Sequence, residues 1–162
     1  MDEEERRLWH MIDTGDFISA GSIFSCNFLW IKEGIDKGKT DFSEQIEDCR
    51  ETYQLLEDRF NEMDLDALDS RFPVKELRTY REATLPDFKR KLLALYFLLE
   101  ECPMISKVLV NGVISACDKH VDRMSILRES FTHSERYIRY RETKPKRIYL
   151  LAKKRAEHSM AV

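Results

Sequence analysis

The sequence predicts an all-α protein, a single compact bundle of about six or seven helices with a basic C-terminal segment. Three observations lead there. Apolar residues recur in alternating steps of four and three, the spacing that holds side chains on one helical face. Only 5 Gly and 4 Pro stand among 162 residues, too few for a turn-rich β architecture. Hydrophobic residues make up 43% and charged residues 35%, which is enough to fill a core and wet a surface, unlike a disordered chain.

The elements follow in order. Leu8–Asp13 reads as a short helix ended near Thr14 and Gly15. After Asp16, Phe17, Gly21, Phe24, Phe28, Ile31 and Ile35 keep the helical step, and Ile18, Ile23, Leu29 and Trp30 widen the apolar face. Gly38, between Lys37 and Lys39, marks the turn.

The strongest periodicity is Phe42, Ile46, Cys49, Tyr53, Leu56, Phe60 and Met63, seven apolar residues on one face of a long helix. Asp41 and Glu44 suggest an N-cap and a capping box. Leu65, Leu68 and Phe72 suggest a short helix, and Val74, Leu77 and Tyr80 another after Pro73.

Leu85-Pro86-Asp87 then opens a Leu-rich helix, and Pro103 ends it or begins the next. Val110, Ile114, Cys117, Val121 and Met124 give a further helix with an interruption at Asn111-Gly112. Residues 134–142 continue or restart it, and Ile148–Arg155 reads as a last short helix or a tail ordered by a partner. The expected division is a bundle over 1–142 and a basic tail over 143–162.

Charge is divided along the chain. Residues 1–69 hold 19 acids and 7 Lys/Arg, a charge of −12, and residues 70–162 hold 11 acids and 20 bases, a charge of +9. The bland net charge of −3 is what remains of that polarity. Such asymmetry bears on partners more than on fold.

Catalytic and metal motifs are thin. Gly34-Ile-Asp-Lys-Gly38-Lys39-Thr40 is one residue short of a phosphate-binding loop and follows a helix where that loop follows a strand, so it reads as a polar turn. Cys117 and His120, three apart, could share a helical face, but a zinc site needs further ligands to converge. The four cysteines stand far apart with no CxxC, which reads as thiols in a reducing compartment. Asp64, Asp66 and Asp69 lack the calcium-loop pattern and read as a solvated helix cap. No catalytic residue, metal ligand or cofactor site is assigned.

Two partner classes remain. Trp9, Phe17, Phe24, Phe28 and Trp30 are candidates for a protein interface, because they exceed what one side of a helix needs. They point to a non-enzymatic interaction or regulatory protein that binds a protein partner and self-associates as a homo-oligomer. The alternative is RNA or single-stranded nucleic acid. Arg136, Arg139, Tyr140, Arg141, Lys144, Lys146, Arg147, Tyr149, Lys153, Lys154 and Arg155 interleave cations, which neutralise phosphates, with rings that stack on bases.

No run of apolar residues is long enough for a transmembrane segment, and the start, MDEEERRLW, is acidic where a signal peptide is basic. The expected location is cytoplasmic or, given the basic runs, nuclear.

Overall fold

The computed structural model describes residues 3, 6, 8, 16–68, 74–102, 104–132, 138, 139 and 142. Among them there is helix and no strand. The chain divides into two units, Met1–Arg128 and Glu129–Val162. In the second, the described residues beyond the end of the last long helix are Ile138, Arg139 and Glu142, all helical.

Helix α1 spans Asp16–Asp36 and α2 spans Ser43–Glu62. A 3-10 turn at Leu65–Ala67 follows. Helix α3, Val74–Thr79, runs through a π turn at Tyr80–Thr84 into α4, Leu85–Glu100. Helix α5 spans Lys107–Thr132. The described residues therefore hold four long rods, with α3, the π turn and α4 forming one of them.

The first rod ends as its glycines dictate. The Gly38 amide donates to Ile35 O at 3.0 Å and the Lys39 amide to Gly34 O at 2.8 Å. This is the paired closure that needs a left-handed residue, and Gly38 supplies it with φ of 77°. Gly34 serves packing. A Cβ there would fall 2.7 Å from Cε1 of Phe42, whose ring is buried. Gly34→Ala is expected to destabilise the fold by about 1–3 kcal/mol through overpacking, read as a lower midpoint in urea. An unchanged midpoint would show that the ring can move aside.

The seven-residue face of α2 is buried throughout, from Phe42 before the helix to Met63 after it. The capping differs from expectation. Asp41 accepts hydrogen bonds from the Ser43 amide at 3.0 Å and from its hydroxyl, and Phe42, which takes the cap position, contributes no side-chain bond. Asp41 thus closes an Asx-type turn two residues ahead instead of a box with Glu44. Asp64 caps the 3-10 turn as the acidic cluster suggested, accepting from the Asp66 amide at 3.1 Å.

Two expected breaks are absent. Leu85-Pro86-Asp87 does not start a separate helix, because the Leu85 amide reaches Tyr80 O, five residues back, and both Thr84 and Leu85 keep right-handed helical backbone. Proline has no N–H, and its ring collides with the carbonyl four residues earlier. A widened turn takes that carbonyl out of its path, so the rod continues. The Asn111-Gly112 interruption is likewise missing, since α5 runs unbroken over it. Gly112 costs about 1 kcal/mol of helix propensity, an amount the buried Val110 and Ile114 on either side outweigh.

Neighbouring rods run antiparallel within the first unit. Asn27 of α1 bonds Asp48 of α2 at 2.8 Å. Arg50 and Glu57 of α2 meet Glu100 and Lys89 of α4 at 3.3 and 3.6 Å. On the last side, Lys107 of α5 pairs with Asp36 of α1, and Lys32 with Asp118 at 3.9 Å. The order is an up-down-up-down bundle. Its centre is aromatic: the Phe88 ring on α4 meets Phe24 of α1 at 4.9 Å, Tyr53 of α2 at 6.1 Å and His120 of α5 at 5.1 Å.

Candidate functional site

The proposed interface residues separate by burial. Phe24 and Phe28 lie in the core at 0% and 1% exposure, their rings 6.1 Å apart, so they support the fold and offer nothing to a partner on the outside. The physical reason is position: a helix flanked on two sides and crossed by the opposite rod's Phe88 must be apolar over a wide arc. Trp30 is different, being 54% exposed beside Leu29 at 53%. Trp9 lies outside the described residues, as does the side chain of Phe17, although its backbone is in α1.

Further apolar side chains that no sequence pattern singles out face outward. Leu93 and Phe97, four apart on α4 and so on one face, are 51% and 59% exposed. Met104, Val108 and Leu109, in the connection to α5 and its first turn, are exposed as well. Their signal was misleading, because Leu92–Leu99 is so uniformly apolar that periodicity cannot separate the inner face from the outer.

Among the polar groups, the tightest cluster is Asp87, Lys91 and His120. His120 is 1% exposed, and its Nε2 stands 2.9 Å from Asp87 Oδ2. The Lys91 ammonium donates to the same oxygen at 2.8 Å and lies 3.2 Å from the ring nitrogen. Lys91, then Arg90, hold the Asp87 carboxyl far below the usual carboxylate range. Burial holds the His120 pKa below 6.5, against the opposing hydrogen bond to Asp87.

In its Nε2–H tautomer the neutral ring donates to Asp87. That leaves Nδ1 as a bare acceptor, and this buried atom has no hydrogen-bond partner. Adding a proton to Nδ1 would bury a charged donor with nothing to receive it, which adds to the cost of the cationic form.

The Cys117 thiol, one turn before His120, is pushed up to about 12 by burial, and so is Cys49. A thiol held protonated is a poor nucleophile and a poor metal ligand. Among the described residues no three His, Cys, Asp or Glu side chains gather as a metal site.

Of the expected α5 row, Val110, Ile114, Cys117 and Met124 are buried, and one member differs: His120, not Val121, is the buried residue between Cys117 and Met124. The Gly34–Thr40 string forms the end of α1 and the turn after it, with Lys39 and Thr40 exposed.

A cleft of about 420 Å³ opens between α1 and α5, lined by Gly21, Ser22, Ser25 and Cys26 on one side and Val121, Met124, Ser125 and Arg128 on the other. No sequence motif announced it, since its residues come from helices a hundred positions apart.

Of the nucleic-acid candidates, Arg139 is helical and exposed. Arg136, Tyr140, Arg141, Lys144, Lys146, Arg147, Tyr149, Lys153, Lys154 and Arg155 lie outside the described residues. No helix among the described residues is long and apolar enough to cross a membrane.

Compared with protein-family models, curated proteins and solved structures, the chain matches none.

Proposed function

We propose that this chain is a non-enzymatic helical interaction protein that acts by presenting apolar side chains to a protein partner, a second copy of itself in the simplest case. The observation that carries the reading is Phe97, a large ring more than half exposed beside exposed Leu93 on a rigid helix. Trp30 on α1 is also more than half exposed, next in sequence to exposed Leu29. Isolated exposed apolar residues are ordinary, but paired ones headed by an aromatic are the composition of interface anchors. The polar interior adds support, because His120 is committed to Asp87 and the buried thiols are held protonated.

The test is substitution on the outer face. Phe97→Glu and Trp30→Glu are expected to weaken self-association by roughly tenfold or more each, in line with the loss of an aromatic anchor. Both side chains are exposed, so circular dichroism should stay unchanged. Sedimentation velocity across a dilution series supplies the readout. Association that survives both substitutions would remove these anchors from the account.

A further inference from the structure

We propose that the cleft between α1 and α5 binds a small amphiphilic anion, a carboxylate or phosphate monoester on a short apolar body, with Arg128 anchoring the charge. The cleft's volume, about 420 Å³, is in the range of small-molecule sites. Its chemistry is one-sided. Arg128 brings a cation and Ser22, Ser25 and Ser125 bring hydroxyls, while no acidic side chain among the described residues lines the cleft. Val121 and Met124 supply an apolar wall for the rest of a ligand.

Arg128 is the decisive residue. The Nε of its guanidinium is shut off from solvent and donates to no acceptor. No hydrogen bond or ion pair joins the side chain to another described residue. By contrast Arg50, Arg59, Arg78, Arg81 and Arg90 each have a carboxylate within reach.

An arginine that lines a cleft with no carboxylate beside it leaves its charge available to an anion. A carboxylate or phosphate suits this side chain, because two of its oxygens match the outer nitrogens of the planar guanidinium in two parallel bonds while Nε stays enclosed. The serine hydroxyls can donate to the remaining lone pairs. A purely inorganic anion would leave the Val121 and Met124 wall empty, and a neutral apolar molecule would leave Arg128 unmet, so both features select an amphiphile.

Isothermal titration of the full chain tests this with sodium octanoate and octyl phosphate as probes, and octan-1-ol and inorganic phosphate as controls. One or both amphiphilic anions should saturate a single site, with the controls at least roughly tenfold weaker. Arg128→Gln should weaken binding by roughly tenfold or more, as expected for a charged hydrogen-bond partner. Ser25→Leu fills the cleft from an exposed position and should abolish binding while helix content is kept. If Arg128→Gln fails to fold, Ser25→Leu decides the matter.

Absence of saturable binding by either anion would overturn the proposal. So would octan-1-ol binding as tightly as octanoate, or binding untouched by either substitution. The self-association reading does not depend on this result, since Trp30 and Phe97 do not line the cleft.

Discussion

Phe88→Ala is expected to destabilise the bundle by about 3–5 kcal/mol, the cost of deleting a large buried ring. Phe88 is 1% exposed and stands on α4, and its ring touches one aromatic from each of the other three rods: Phe24, Tyr53 and His120. Removing it opens a cavity that no single neighbour can close, because the three rings belong to three different helices. A domain of this size has a total stability of about 5–15 kcal/mol, so much of its margin would go.

Urea denaturation followed by circular dichroism measures the effect. Leu93→Ala, on the exposed face of the same helix, is the control and should fall within about 0.5 kcal/mol of the parent. A Phe88→Ala loss below about 1 kcal/mol, well short of the expected range, would contradict the central role of this ring.

The second large effect is on pH. His120 takes up a proton near pH 6.5 when unfolded, and its burial pushes that pKa lower in the fold. Below 6.5 the unfolded state therefore binds more protons than the folded one, and stability falls as the solution is acidified. The contribution is complete above 6.5 and is lost as pH drops toward the lower, folded value. One proton limits the slope to about 1.4 kcal/mol per pH unit, so up to about 2 kcal/mol goes between pH 7 and 5.

Asp87 adds a loss only below about pH 3.8, because its folded pKa lies beneath that value. Asp118, raised by burial, acts in the opposite sense around the carboxylate range. His120→Gln isolates the imidazole, since a glutamine amide can still donate to Asp87 but does not titrate. The parent is expected to lose stability between pH 7 and 5 relative to this variant. Equal pH profiles for the two would show that His120 is not held neutral by the fold.

Much of the architecture was legible because period and burial agree wherever a helix has one inner face. In α2 all seven expected residues, Phe42 to Met63, are buried. The sequence was harder to read where a local signal competes with packing. Pro86 looks like a boundary, yet a π turn at Tyr80–Thr84 carries the rod past it. Gly112 looks like a break, yet apolar burial on both sides holds α5 straight.

The site was less legible still. Phe24 and Phe28 look like surplus apolar area until Phe88 is seen to cross onto α1. The neighbourhood of Asp87, Lys91 and His120, and the cleft that ends at Arg128, join residues from different helices. Periodicity reports which face of a helix turns inward and says nothing of which other helix it meets.

The central claim is that exposed apolar side chains on this bundle engage a protein partner, a second copy serving in the simplest case. Light scattering behind size-exclusion chromatography, run over a hundredfold range of loading, tests it most directly. The mass is expected to climb from one chain toward a multiple as concentration rises, with the climb of Phe97→Glu displaced to roughly tenfold higher loading or beyond. A strict monomer at every concentration would contradict self-association through Phe97.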